Sequence, residues 1–195
     1  MRIRRFYLGT SLYRLLAVQE QFRKEFPLII RSECGPDWDA IGEVVHAAFL
    51  NHPQHAPGAL PHEPRLVKDL RAAGALSLSL VAEDGGVIVG HVAFSEVLID
   101  GQRGGWYGLG PVAVHPSRQR QGIGSALINQ GIAELRERGA RGIALVGDPG
   151  YYTRFGFSAD PDLVLDGVPP QYFLALPLAM PKEQGTVTFH PAFKG

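Results

Sequence analysis

Between Val112 and Phe157 the chain runs through an apolar strand, a basic glycine-bearing turn, a helix, a second strand and a tyrosine-rich block. The turn reads Pro116-Ser117-Arg118-Gln119-Arg120-Gln121-Gly122-Ile123-Gly124-Ser125-Ala126. A turn of this kind presents backbone N–H groups at a helix N-terminus, where the helix dipole adds favourable potential, and it suits a phosphate or pyrophosphate. Gly122 and Gly124 remove side chains where a ligand would lie against the backbone, and Arg118 and Arg120 supply charge. The helix predicted to follow spans Ser125 to Arg138. Leu127, Ile128, Ile132 and Leu135 form its inner face, and Gly139 is its terminating glycine.

Three phosphate-binding patterns compete for this turn. A P-loop requires Gly-Lys-Ser/Thr, and no lysine is near. A dinucleotide fingerprint requires a third small residue where Leu127 stands. It also requires an acid about twenty residues further on, where the apolar run Ile143 to Val146 lies. What remains is Gln119-x-x-Gly122-x-Gly124, set against the plainer alternative of an ordinary tight turn that opens a helix.

This third pattern resembles the pyrophosphate motif of the GCN5-related N-acetyltransferases (GNAT), Gln/Arg-x-x-Gly-x-Gly/Ala. Downstream, Tyr152-Thr-Arg-Phe-Gly156-Phe157 resembles that family's Tyr-x-x-x-Gly-Phe block. The lead-in from Leu109 to Pro116 and the run Gly147-Asp148-Pro149-Gly150-Tyr151-Tyr152 are similar to the bacterial subgroup called YhbS-like. The resemblance covers about Leu28 to Phe157. It implies acetyl-CoA as cosubstrate and transfer of its acetyl group to a primary amine of an unidentified small molecule or protein. The cofactor would be held by the backbone of Val112, Ala113 and Val114 and by Gln119, Arg120, Gln121, Gly122, Ile123, Gly124, Ser125 and Ala126. It implies also that the strand Leu109 to Val114 splays from the strand Gly142 to Val146, leaving a gap for the pantetheine arm. Tyr152, four residues before Gly156, takes the family's general-acid position. Two alternatives stay open: a non-catalytic acyl-CoA sensor, and transfer of another acyl group or to a hydroxyl. Many members carry an Asn before the tyrosine in a longer helix; here Gly147-Asp148-Pro149-Gly150 stands there, so that contact is not carried over.

Acyl transfer needs a neutral amine and a proton for the departing thiolate, and a phenol can donate one. For the base, Glu96, His91, His115 and Asp148 are candidates. Glu96 is the best placed, late in a long strand, with deprotonation through water as the alternative. His52, His55 and His62 lie in a proline-rich loop, but no carboxylate or thiol joins them at ligand spacing, and no metal is expected. The lone Cys34 reads as an inert thiol.

The elements around these residues indicate an α/β fold: a mixed, mostly antiparallel sheet with a splayed parallel strand pair and flanking helices. Strands are predicted at Leu28 to Arg31, Leu76 to Ala82, Val87 to Ile99, Tyr107 to Val114 and Gly142 to Val146. Tyr172 to Leu178 and Thr186 to Phe189 read as a final antiparallel pair. Helices are predicted at Ala40 to Phe49 and Leu66 to Ala73, joined by a loop from Asn51 to Pro64. Acceptor specificity is expected in that loop and in Asp100 to Gly105 and Asp160 to Gln171. The expected organisation is an N-terminal extension over 1–27 with helical spacing of Leu8, Leu12, Leu15 and Leu16, one domain over 28–190, and a tail over 191–195. Zero net formal charge provides no chain-wide field for nucleic acid, and no apolar run is long enough for a membrane span. A single cysteine fits a reducing cytoplasm, and the resemblance allows a homodimer.

Overall fold

The computed structural model describes residues 28–50, 52, 56 and 58–194. The proposed N-terminal arm and His55 lie outside the described residues. Among the described residues eight strands form the sheet: β1 (Ile29–Ser32), β2 (Leu76–Asp84), β3 (Val87–Ile99), β4 (Gln102–Val114), β5 (Gly142–Val146), β6 (Leu163–Val164), β7 (Phe173–Pro177) and β8 (Gly185–Thr188). Among the described residues four helices flank it: α1 (Trp38–Phe49), α2 (Glu63–Ala72), α3 (Ile123–Glu137) and the single turn α4 (Pro149–Tyr152). The spatial order is β1-β2-β3-β4-β5-β7. Only β4 and β5 run parallel within that path.

Side chains alternate across a strand, so β2 and β3 feed two cores. Leu80, Ala82, Val92 and Phe94 pack with Leu127, Ile128 and Leu135 of α3 on one face. On the other, Val81 and Ala113 pack with Ile41, Val44 and Val45 of α1 and Val67 of α2.

The predicted β3 agrees with the observed bounds, and β4 starts earlier than predicted. Asp100 and Gly101 alone make the hairpin turn, both with left-handed backbone (φ 49° and 77°), so Gly104 and Gly105 are absorbed into the strand. Helix α2 also begins before its predicted start. Pro64 stands in its first turn, where the missing N–H costs nothing, and this brings Glu63 into the helix.

The predicted pairing of the last two strands is wrong. β7 pairs with β5, whereas β8 pairs with the far end of β3 (Leu98↔Thr188, Ile99↔Val187) and with β6. Asp100 makes the difference: its N–H donates to the Thr186 carbonyl (2.9 Å) and its carboxylate accepts from the Thr186 N–H (2.8 Å). β2 pairs no further along β3 than Ser95, so β8 takes the edge that β2 has vacated.

A buried polar network ties α2 to the sheet. Arg71 donates to both oxygens of Glu33 (2.7 and 2.9 Å), the Ser79 hydroxyl bonds Glu33 (2.5 Å) and His91 Nε2 (2.8 Å), and Glu33 lies 3.6 Å from His91. Burial alone would raise the Glu33 carboxyl, but its contacts with His91, Arg71 and Ser79 reverse this and hold it well below the usual carboxylate range. Burial holds His91 below its ordinary 6.5 despite the pull of Glu33. With both folded values depressed, the unfolded chain takes up protons first, so stability is full above the unfolded values and falls with pH beneath them. The His91 part of this loss begins near pH 6.5 and the Glu33 part near 4.5. The melting temperature should therefore drop between about pH 7.5 and 5.5, and His91→Gln should flatten that slope. Calorimetry showing equal slopes in the two proteins would contradict the assignment.

Candidate active site

The site forms where β4 and β5 part. They pair over three positions only, Trp106↔Gly142, Tyr107↔Ile143 and Gly108↔Ala144. Their outer neighbours hold firm: β5 stays paired to β7 through Val146, and β4 to β3 through Val114. Between Val92↔Val112 and Phe94↔Leu109 two steps on β3 face three on β4, a bulge at Gly110-Pro111. Pro111 brings no N–H to this stretch.

Past the bulge, the polarity of β4 is fixed by His115, whose N–H donates to Val89 of β3 (2.9 Å). Alternation then sends the backbone groups of Ala113 to β3 and those of Val112 and Val114 toward the gap. The Val114 carbonyl accepts from Gln119 Nε2 (3.1 Å), so this side chain ties the following turn to the strand.

In that turn Arg120 (φ 60°) and Gly122 (φ 84°) are both left-handed, and α3 opens at Ile123, two residues before the predicted start. The first intrahelical bond runs from the Ala126 N–H to the Gly122 carbonyl (2.9 Å). The N–H groups of Ile123, Gly124 and Ser125 precede it and are those a phosphate would meet; Ala126 directs its own elsewhere. The two glycines differ in purpose. Gly122 is needed for its backbone conformation, with open space around it, whereas a Cβ on Gly124 would sit 3.2 Å from the Tyr151 hydroxyl and 3.5 Å from Val114. Gln121 and Arg120 are exposed, and Gln121 donates to the Ser117 carbonyl (3.4 Å). Arg118, expected beside a phosphate, instead forms an ion pair with Asp84 of the β2–β3 hairpin.

At the other end of the gap, Asp148 caps α4 by accepting from the Gly150 N–H (2.9 Å). The single helical turn places Tyr151 toward Gly124 and Tyr152 against Gly147, where a Cβ would overlap its ring. Tyr152 also meets Tyr151 edge-on (centroids 5.0 Å apart, 89°) and Phe157 (6.1 Å, 79°). Burial, and to a lesser degree Tyr151, pushes its phenol up to about 12.

A cleft of about 830 Å³ occupies the gap and the α1–α2 side of the sheet, opposite α3. Tyr151, Tyr152 and Asp148 line it, together with Val112 from the cofactor-binding expectation. Glu96 does not: it forms an ion pair with the exposed Arg103 (2.9 Å) across the hairpin. Its strand neighbour Val97 belongs to the core formed with Trp106 and Val187, which leaves Glu96 on the opposite side. His91 is sealed in the network beneath α2, and exposed His115 is bonded to Ser117 (2.8 Å). Of the four base candidates only Asp148 reaches the cleft.

Several lining residues had no local signal in sequence. Phe189 and Phe193 meet edge-on (5.2 Å, 63°) over bare backbone, Phe189 where a Cβ on Gly108 would stand and Phe193 where one on Gly110 would be 3.6 Å away. Glu63, Asp166, His190 and Lys194 complete the polar wall. Of the three loops expected to set specificity, the first contributes His52, His62 and Glu63 and the last Leu165, Asp166 and Val168. Asp100 to Gly105 contributes nothing and instead holds β8.

Residues 39–157 match the Acetyltransferase (GNAT) family. The chain belongs to this family. A GNAT acetyltransferase from Brucella melitensis, solved with acetyl-CoA, is 47% identical with a TM-score of 0.74, over 85% of this chain and 97% of that one. The GNAT N-acetyltransferase YhbS of Escherichia coli, solved with CoA, is 32% identical with a TM-score of 0.79, over 87% and 93%. In sequence, the uncharacterized N-acetyltransferase YhbS of Escherichia coli K12 is 43% identical over 96 residues, 49% of this chain and 58% of that protein. The chain thus matches a little over half the length of that curated relative.

In a GNAT fold built this way, the seat of Tyr152 depends on Gly147. Gly147→Ala should push the ring away from the end of β5 and lower kcat by about a hundredfold while leaving acetyl-CoA affinity within a few-fold. Steady-state kinetics alongside calorimetry would show this. Unchanged turnover would mean the ring position is unimportant.

Proposed function

We propose that the chain is an acetyl-CoA-dependent N-acetyltransferase acting by direct transfer within a ternary complex. One arrangement carries this reading: a parted β4–β5 pair with a phosphate-binding turn at one end and a buried tyrosine at the other. The fit to acetyl-CoA is chemical. The N–H groups of Ile123, Gly124 and Ser125 face a pyrophosphate, and the gap-facing backbone groups of Val112 and Val114 match the amides of a pantetheine arm. Gln119 positions the turn, and Arg120 and Gln121 flank it at the surface.

When bound, acetyl-CoA supplies the thioester carbonyl that the amine attacks. The nitrogen–carbon bond forms, the carbon–sulfur bond breaks, the nitrogen loses a proton and the sulfur gains one. Tyr152 holds the proton at the sulfur's side. With its phenol raised to about 12 it stays protonated throughout the working range. A free thiol, near 8.5, is the stronger acid, so Tyr152 does not ionise outright in favour of the thiolate. It donates a hydrogen bond to the leaving sulfur, and as that proton passes to the sulfur the proton released by the nitrogen returns to the phenol oxygen, so Tyr152 is neutral before and after transfer. The cleft wall on the α1–α2 side admits the acceptor, an amine of a small molecule or protein. The lone, exposed Cys34 suits the reducing cytoplasm in which we place the enzyme.

Calorimetry should show acetyl-CoA binding at micromolar concentration, abolished by Gly124→Val, whose side chain would meet Tyr151. Tyr152→Phe should leave that binding intact and lower kcat by about two to four orders of magnitude, with no falling limb in the wild-type pH–rate profile below about pH 10. Absence of binding would refute the proposal. Binding without thiol release over a panel of amines would leave a sensor instead.

A further inference from the structure

Beside Tyr152 stands a second tyrosine whose oxygen packing does not explain. Tyr151 is half-buried against the core that α3 covers, and its ring is held on three sides. Tyr152 and Phe155 meet it edge-on, with centroids 5.0 and 5.6 Å away. The Arg154 guanidinium lies over its face, 4.8 Å from the centroid. A phenylalanine would make all of these contacts. The hydroxyl has no hydrogen-bond partner among the described residues, although a buried phenol usually finds one. It stands 3.2 Å from the place of a Cβ on Gly124, a place itself 3.5 Å from Val114. The side chain has therefore crossed the gap from α4 to the far wall, where β4 ends and α3 begins. A helical Cα–Cβ bond leans toward the helix N-terminus, so the hydroxyl sits beside the first turn of α3, near the free N–H groups of Ile123, Gly124 and Ser125.

We propose that Tyr151 is a cofactor-binding residue: from the α4 side its hydroxyl donates to a pyrophosphate oxygen that the N–H groups of α3 hold from the other side. The inference rests on the acetyltransferase reading and adds a residue to the same site. Two things suit this hydroxyl to an anion. The N-terminal end of a helix carries positive potential, and an O–H group makes a short, strong hydrogen bond to a charged oxygen. Arg154 adds a positive charge behind the ring. It is exposed, its hydrogen bond to the Gly150 carbonyl is long (3.5 Å), and it pairs with no acid among the described residues. Asp148, the acid on this turn, is engaged by the Gly150 N–H (2.9 Å). Because neighbouring rings fix Tyr151 in place, little side-chain freedom is lost when it binds. The cofactor is thus gripped from both walls of the gap, and a side chain on Gly124 would displace the hydroxyl as well as the ligand.

Tyr151→Phe isolates the oxygen, since the ring and its neighbours stay. By calorimetry it should weaken acetyl-CoA about tenfold and leave the melting temperature of the unliganded protein unchanged. In phosphorus NMR of bound CoA, the same substitution should move the diphosphate resonances and leave the 3′-phosphate resonance in place. Arg154→Ala should make acetyl-CoA affinity less sensitive to salt between about 50 and 300 mM. Absence of acetyl-CoA binding in the wild-type protein would defeat the acetyltransferase reading itself. With that binding intact, equal affinity in Tyr151→Phe would overturn the proposal for Tyr151 alone. Weaker affinity with unmoved diphosphate resonances would place the hydroxyl elsewhere on the cofactor and overturn it too. An unchanged salt dependence in Arg154→Ala would remove Arg154 from the site.

Discussion

The site depends on an unfinished strand pairing. β4 and β5 share three residue pairs and then separate, while each keeps its partner on the other side. A gap within a sheet ought to close, because an unmet buried backbone donor or acceptor costs about 1–3 kcal/mol. Here closure is prevented on both flanks. β5 is held by β7 along its whole length, and β4 is turned away at the Gly110-Pro111 bulge while still bonded to β3. The fold therefore leaves a backbone edge at Val112 and Val114 turned to the gap, with the Val114 carbonyl held by Gln119. In the proposed complex a ligand bearing amides would relieve that edge, and recognition on this side would require no particular side chain.

Such a device is legible in sequence because its parts are contiguous. The strand, the Gln119–Gly124 turn and the helix behind it occupy one stretch, and local rules for glycine, helix starts and apolar periodicity all apply to it. β3 was readable to its ends for the same reason. Errors arose wherever a residue's fate was decided by a distant partner. Arg118 looks like a phosphate ligand until Asp84 captures it from the neighbouring hairpin. Glu96 looks like a base until strand alternation and Arg103 take it to the wrong side. β8 pairs with β3 rather than β7 because a turn aspartate, Asp100, meets it there. Nothing in the local pattern carries those decisions.

Glycine shows this division most clearly. Gly122 is needed for its own conformation, and the turn it belongs to announces it. Gly108, Gly124 and Gly147 are needed because a ring comes close to each, Phe189, Tyr151 and Tyr152 in turn, whereas at Gly110, where Phe193 would make only ordinary contact with a Cβ, the backbone itself (φ 156°) calls for glycine. Those rings arrive from α4 and from the C-terminal segment, so the reason for each of those three glycines lies elsewhere in the chain. Four aromatic side chains thereby rest on bare main chain around one gap, with little room to shift. A site that relies on a half-open sheet gains its rigidity from this contact, since the missing strand pairs cannot provide it.

The two halves of the cleft accordingly differ in how they are encoded. The half proposed to hold the cofactor is main chain, contiguous and generic, and it suits any ligand with a pyrophosphate and an amide arm. The acceptor half is side chain, drawn from α1, α2, β8 and the residues after it, segments more than a hundred residues apart in places. That separation lets the two halves vary independently, and it explains why the main-chain half is legible in one contiguous stretch of sequence while the side-chain half emerges only once the fold brings its segments together.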